Sequence, residues 1–155
     1  FFRAVQPDVV FVPIGQGSGI CACAMARTIS AASSRIVGVV SAHATAYLDS
    51  FRAGRVVEAP VTTQLADGMA CRLPDAEALD VIRREVDDVI AVTDDEVAAA
   101  MRLLYTATHN VAEGAGAASL AAAMQQRERW RGQCVGVTLC GGNVDRDLLA
   151  RVLAG

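Results

Sequence analysis

Lysine is absent from this sequence, and all 14 of its strongly basic residues are arginine. A reaction in which a lysine amine forms a Schiff base or carries a proton therefore cannot be completed by these 155 residues alone. Positive charge is also in the minority, since 17 acidic residues give a formal net charge of −3. That balance does not provide the basic surface on which nucleic-acid binding depends, so nucleic acid is not an expected partner.

Long apolar runs and aromatic residues are also scarce. No run reaches the roughly 18 residues that a membrane span needs, and no signal peptide is visible, so no membrane partner is expected. Aromatics make up only 5% of the chain, and the core must be built mainly from Val, Leu, Ile and Ala. The five cysteines are irregularly spaced and form no C-x-x-C motif, which argues against a disulfide framework and against zinc. A reducing, cytoplasmic setting is expected.

Short apolar runs alternate along the chain with segments rich in alanine, leucine and charged residues. Runs that are continuous, without apolar–polar alternation, are typical of strands covered on both faces. Four strands are predicted, at 9–12, 36–40, 89–92 and 135–139. Six helices are predicted, at about 20–32, 42–51, 75–85, 94–107, 116–127 and 145–153. This order predicts an α/β fold, with a layered, mostly parallel sheet and flanking helices.

Some of the predicted boundaries are marked by residues with a clear structural preference. Thr93 and Asp75 are suited to cap the helices that follow them, and Asp145 opens the last one. The segment 62–72 has neither helix nor strand periodicity, and a loop of this length in a compact domain is often functional.

A glycine-rich turn joins the first predicted strand to the first predicted helix. Its five residues are Gly15, Gln16, Gly17, Ser18 and Gly19. Backbone N–H groups in such a turn can converge on an anion, and the helix N-terminus adds about half a positive charge. The spacing is not G-x-G-x-x-G, since Ile20 takes the place of the third glycine, and the Gly-Lys-Ser/Thr of a Walker A motif is missing. The turn therefore favours a phosphate other than a dinucleotide or nucleoside triphosphate; a turn without a ligand is the alternative.

Two further turns place a reactive side chain beside glycine. Cys140 ends the last predicted strand and precedes Gly141-Gly142-Asn143, at the sheet edge where open α/β sheets bind ligands. The alternative is a plain turn with a buried cysteine. Glu113 precedes a run of very small residues, which suits close approach to a ligand. The alternative is an acid that stabilises the first turn of the following helix.

Taken together, six segments resemble the C-terminal half of the catalytic domain of serine/threonine dehydratases, in the same order. They are VPIGQGSGI, RIVGVV, VTTQLADGMACR, VDDVIAVTDDEVAAAM, NVAEGAGAASLAA and VGVTLCGGNVD. That family consists of pyridoxal-phosphate (PLP) enzymes with the tryptophan-synthase-β-like fold, or fold type II. The resemblance implies this fold for 1–155, as the C-terminal portion of a catalytic domain that looks incomplete. The N-terminal part, which carries the Schiff-base lysine in the family, is not in this sequence.

The resemblance also implies roles for individual residues. The expected cofactor-binding residues are Gly15, Gln16, Gly17, Ser18, Gly19 and Cys140, with Gly68 and Glu113 on the substrate side. The glycine turn would hold the PLP phosphate, and Cys140 would face the pyridine nitrogen. A neutral thiol there would make the ring a weaker electron sink than a carboxylate would. The N-terminus of the following helix would lower the thiol pKa, which leaves the protonation state of Cys140 open.

The chain also departs from the family pattern. Gln16 and Ser18 interrupt a cradle that is often almost entirely glycine, so Gln16 must adopt a permitted φ or reach the ligand itself. Relatives that bind a divalent cation carry a glutamate just after the second strand, where this chain has Val40 and Ser41. No metal is therefore expected.

The activity implied by the resemblance is PLP-dependent dehydration and deamination of L-threonine or L-serine to a 2-oxo acid and ammonia. A serine or hydroxyamino-acid racemase, or another β-hydroxyamino-acid lyase of the same fold, is the alternative within the family. A non-catalytic module that binds PLP or another phosphate is the alternative outside it. Because it lacks lysine, the chain by itself is not expected to be active. The expected partners are a small amino-acid substrate, the N-terminal half of the enzyme and further copies in a homo-oligomer, a dimer or a tetramer.

Overall fold

A four-stranded parallel sheet forms the centre of the protein in a computed structural model that describes residues 1–155. The strands are β1 (Val9–Pro13), β2 (Arg35–Ser41), β3 (Asp88–Val92) and β4 (Val135–Val137). They are arranged in the order β3-β2-β1-β4, and each neighbouring pair is parallel. The register pairs Val9 of β1 with Arg35 of β2 and with Val135 of β4.

Helices provide the crossovers that parallel strands require. They are α1 (Phe2–Val5), α2 (Ser18–Ile29), α3 (Ala46–Ala53), α4 (Ala76–Glu85), α5 (Asp94–Thr108), α6 (Gly114–Gln125) and α7 (Arg146–Ala154), with a 3₁₀ helix at Asp67–Met69. None of them combines the length and the apolar character that crossing a membrane would take. All four predicted strands and all six predicted helices are present, and the predicted α/β class with a parallel sheet is confirmed.

The core has two layers because successive side chains of a strand point to opposite faces of the sheet. Val9 and Phe11 of β1 belong to one buried cluster, formed with α5, α6 and α7. Val10 and Val12 belong to the other, formed with α2, α3 and α4. Helix α6 consists largely of glycine and alanine, and most of its first nine residues are fully buried. Small side chains therefore let this helix lie close to the sheet.

Three of the predicted boundaries or burial patterns are wrong. The strand predicted at 135–139 ends at Val137, because Thr138 leaves β1 and its hydroxyl pairs with that of Ser119 on α6 at 3.0 Å. That strand lies at an edge and is not covered on both faces, since Val135 and Val137 are 37% and 38% exposed. The helix predicted at 42–51 begins only at Ala46, after a turn in which the Ser41 hydroxyl accepts the N–H of the residue two positions on.

Two short elements were not predicted from the sequence. Of the three residues predicted at helix starts, two make the expected side-chain cap. Helix α1 and the 3₁₀ helix inside 62–72 are each four residues or fewer, too short to show a period in the sequence. The Asp75 carboxylate accepts the N–H of Ala78 at 2.8 Å, and Thr93 forms a reciprocal capping box with Glu96. Asp145 occupies the N-cap of α7 but makes no side-chain cap bond.

Candidate functional site

The predicted site residues lie together at the edge where the parallel strands end. A Cβ placed on Gly15 would collide with the carbonyl oxygen of Gly68, so the glycine turn and the 62–72 loop are in backbone contact. A Cβ on Gly68 would in turn lie 2.9 Å from Cβ of Ala115 on α6. The Sγ of Cys140 lies 3.9 Å from the carbonyl oxygen of Ala115. Three loops and the start of α6 therefore form one continuous surface.

The glycine turn presents a row of free hydrogen-bond donors. None of the backbone N–H groups of residues 15–20 finds an acceptor within the chain. Gly17 is the N-cap of the 12-residue helix α2, with a φ of 97° that disfavours any other residue. Gly19 faces open space, because a Cβ there would meet no atom within 4 Å. Free N–H groups and the positive end of a helix at one place suit the oxygens of a phosphate.

Gln16 and Ser18 fit into this turn without backbone strain. Neither residue has a positive φ, so Gln16 adopts a permitted backbone conformation. The Gln16 side chain contacts Cys71, whose Sγ lies 3.9 Å from the Gln16 Oε1. Ser18 is the exposed first residue of α2. The cradle therefore keeps its backbone donors although only three of its five residues are glycine.

Cys140 lies on the connection between β4 and α7, three residues beyond the end of the strand. The alternative of a buried structural cysteine is wrong, because the residue is exposed overall. Partial burial of its sulfur against α6 raises the pKa of the thiol, and the nearby Glu113 carboxylate raises it further. The lowering predicted from the following helix therefore does not prevail, and Cys140 is a neutral thiol near neutral pH.

Glu113 holds the turn that carries Cys140. Its carboxylate accepts the N–H of Asn143 at 2.9 Å, and its own N–H donates to the carbonyl of Gly141 at 3.1 Å. Although Glu113 is the N-cap residue of α6, its side chain caps none of that helix's N–H groups. The carboxylate therefore binds the neighbouring turn, and it does so from the N-cap position of α6.

Alkylation of Cys140 is expected to be slow at neutral pH, because a raised pKa leaves little thiolate. The rate should rise with pH, with a midpoint above that of the same cysteine in the urea-denatured chain. The Glu113→Gln variant removes the negative charge and keeps an oxygen for the Asn143 N–H, so it should shift the midpoint down. Iodoacetamide labelling followed by peptide mass spectrometry gives both midpoints. The same midpoint in folded and denatured protein would contradict a raised pKa of the Cys140 thiol.

Three polar contacts of the site, made by two residues, were not predicted from the sequence. The Tyr47 hydroxyl donates to the carbonyl of Gln16 at 2.7 Å. Asp94, at the start of α5, accepts from the Thr63 hydroxyl at 2.8 Å and from the Gln64 N–H at 2.9 Å, which fixes the loop that contains Gly68. The partners are 30 or 31 residues apart, so no local spacing could have indicated them.

The end of β2, where the resemblance would place a metal-binding glutamate, contains no carboxylate. Val40 and Ser41 are fully buried there, and the Ser41 hydroxyl accepts the N–H of His43 at 3.1 Å. His43 itself is exposed, with Nδ1 3.5 Å from the Thr62 hydroxyl. Nowhere in the chain do three or more His, Cys, Asp or Glu side chains lie close enough together to hold a metal ion.

A parallel α/β sheet with a donor-rich glycine turn and a neutral thiol at one edge defines a class of protein that can hold a phosphate-bearing cofactor there. The chain belongs to the pyridoxal-phosphate dependent enzyme family, whose model matches residues 3–141. The resemblance to PLP-dependent dehydratases is thereby confirmed, and PLP is the cofactor of this family.

This chain is similar to individual members of the family both in sequence and in fold. L-threonine ammonia-lyase of Geobacter sulfurreducens is 39% identical over 144 residues, which are 90% of this chain and 35% of the lyase. The solved structure of the processed form of threonine deaminase isoform 2 from Solanum lycopersicum superposes with a TM-score of 0.87 at 26% identity, covering 97% of this chain and 45% of the deaminase. The structure of maize serine racemase superposes with a TM-score of 0.83 at 32% identity, covering 98% of this chain and 48% of the racemase. The chain spans less than half the length of each of these proteins.

Proposed function

We propose that residues 1–155 form the cofactor-holding part of a PLP-dependent ammonia-lyase that converts L-threonine or L-serine to a 2-oxo acid and ammonia. The identity to a threonine ammonia-lyase supports the reaction class. The observation that carries the proposal is the row of N–H groups at residues 15–20, all without an acceptor in the chain. They lie at the start of the 12-residue helix α2, on the sheet edge that also carries Cys140.

The residues present fit PLP at both ends of the cofactor. The N–H groups of Gly15 to Gly19 would bind the phosphate, with the dipole of α2 adding favourable charge. Cys140, kept protonated by its raised pKa, would hydrogen-bond the pyridine nitrogen as a neutral partner. Glu113 orients the turn that carries Cys140, and Gly68 shapes the neighbouring wall. When bound, PLP supplies an electron sink for bond breaking at the α-carbon of an amino acid.

The partners of the chain belong to the same proposal. The lysine that binds the cofactor would come from outside residues 1–155, because this chain has none. The chain alone would then hold PLP without turning over substrate. In the complete enzyme it would join the N-terminal half of the catalytic domain and bind a small amino-acid substrate. Copies of that enzyme would assemble into a homo-oligomer.

Serine racemase activity is the second candidate, and the similarity to maize serine racemase favours it. Racemisation and elimination both begin with removal of the α-proton, and they differ in whether the β-hydroxyl then leaves. The product formed from L-serine by the complete enzyme separates the two, since a racemase yields D-serine and a lyase yields a 2-oxo acid and ammonia.

The purified chain is expected to bind PLP roughly a hundredfold more tightly than pyridoxal, which has no phosphate to accept the charge-assisted bonds of the turn. The Gly19→Asp variant places a carboxylate in open space beside that turn and should remove the preference through repulsion. Gly132→Asp is the control, because residue 132 also faces open space but lies outside the site. Equilibrium dialysis of each variant with both ligands measures the effect. Equal affinity of the unmodified chain for PLP and pyridoxal would contradict the proposal.

A further inference from the structure

Tyr47 is the largest fully buried side chain of the protein, and its hydroxyl is in contact with the glycine turn. The ring lies on α3 within the apolar cluster formed with α2 and α4, only 1% exposed. Its hydroxyl is 2.7 Å from the carbonyl oxygen of Gln16 and 3.2 Å from the backbone nitrogen of Asp75. A buried phenol whose oxygen has two polar neighbours is fully satisfied.

The two neighbours determine the direction of both hydrogen bonds. A carbonyl oxygen can only accept, and a backbone N–H can only donate. The Tyr47 proton must therefore point to the Gln16 carbonyl, while the hydroxyl oxygen receives the N–H of Asp75. Burial raises the pKa of Tyr47 to about 12, so the proton is present throughout the neutral range. The hydroxyl joins the glycine turn to the start of α4.

Fixing this carbonyl also fixes a donor of the turn. In a trans peptide the C=O and the following N–H point in opposite directions, and every peptide bond of this chain is trans. Because the Gln16 carbonyl points to the Tyr47 hydroxyl, the N–H of Gly17 points away from it and has no acceptor in the chain. The φ of 97° at Gly17 then leads directly into helix α2.

We propose that Tyr47 is a positioning residue for phosphate binding, which holds the peptide between Gln16 and Gly17 so that the Gly17 N–H faces the anion. This inference rests on the proposed role of the glycine turn and adds a residue that touches no ligand itself. A hydroxyl that served only the stability of the core would not change the preference of the turn for phosphate.

The Tyr47→Phe variant keeps the ring and removes only the hydroxyl. We expect its affinity for PLP to fall by roughly tenfold, the loss of one oriented hydrogen bond, while its affinity for pyridoxal stays within about twofold of the original. Tyr105→Phe is the matched control, because Tyr105 is the only other tyrosine and lies half-exposed on α5. Equilibrium dialysis with both ligands, beside thermal melting of each variant, measures the expected split.

The outcomes separate this inference from the function on which it rests. If the unmodified chain prefers PLP and Tyr47→Phe prefers it equally, Tyr47 has no positioning role and the proposed function stands. If the unmodified chain shows no preference, both fail. A second measurement needs no variant: titration of inorganic phosphate into the ¹⁵N-labelled chain should shift the Gly17 amide resonance more than that of Gly132. A Gly17 resonance that stays in place while Ser18 and Gly19 move would overturn the inference.

Discussion

The Gly17→Ala variant is expected to lose about 3 kcal/mol of unfolding free energy, the sum of a backbone strain and a packing conflict. An alanine at a φ of 97° lies in a region that L-residues avoid, at a cost of roughly 1–2 kcal/mol. The new Cβ would also stand 2.7 Å from Cβ of Ala78 and 2.9 Å from the Tyr47 oxygen, both in a packed part of the core. Relief of these contacts would move α4 or rotate the Gln16 carbonyl away from Tyr47.

Urea denaturation followed by circular dichroism measures this loss of unfolding free energy. The Gly132→Ala variant is the control for backbone strain without a packing conflict. Gly132 has a φ of 77°, but a Cβ there would meet nothing within 4 Å, so only the backbone term of about 1 kcal/mol should appear. The Gly17→Ala variant should also lose its preference for PLP over pyridoxal, which Gly132→Ala should retain. Equal destabilisation in the two variants would mean that the contacts with Ala78 and Tyr47 do not constrain the turn.

The elements that could be predicted from the sequence are those whose signals are local. The continuous apolar run of β1 and the capping threonine Thr93 each contain their evidence within a few residues, and both are confirmed. The start of α3 and the end of β4 depend on contacts that the sequence does not display. Ser41 forms a turn that delays α3, and Ser119 draws Thr138 away from the sheet.

The meeting of the glycine turn at 15–19 and Cys140 at one place could also be predicted, because the ends of parallel strands lie at one edge of the sheet. The chemistry of the site could not be predicted fully. The Cys140 pKa is raised by partial burial and by the Glu113 carboxylate, and the helix that follows in sequence begins only at Arg146. The contact of Glu113 with Asn143 spans 30 residues, so its position before α6 could not indicate it.

Several close backbone contacts of the site occur at glycine, where no Cβ separates the two segments. At Gly116 the facing atom is the carbonyl oxygen of Gly141, with which an added Cβ would overlap. A backbone carbonyl cannot rotate away as a side chain can, so α6 and the turn of Cys140 would have to separate. Residues on both sides of Gly116 in α6 are buried, and the helix has no room to retreat.

The Gly116→Ala variant is therefore expected to lose about 3 kcal/mol of unfolding free energy in urea, although alanine is the better helix former. Gly19→Ala is the matched control near the start of α2, where a Cβ would meet nothing within 4 Å, and its stability should stay the same or rise by about 0.5 kcal/mol. Separation of α6 from the turn should also expose the Cys140 sulfur, lower its pKa and speed its alkylation. If the Gly116→Ala protein is as stable as the Gly19→Ala control and its Cys140 is labelled at an unchanged rate, α6 and the turn of Cys140 are not in close backbone contact. The stability loss and the faster labelling should occur together, because one close backbone contact supports both the packing of α6 and the partial burial of the Cys140 sulfur.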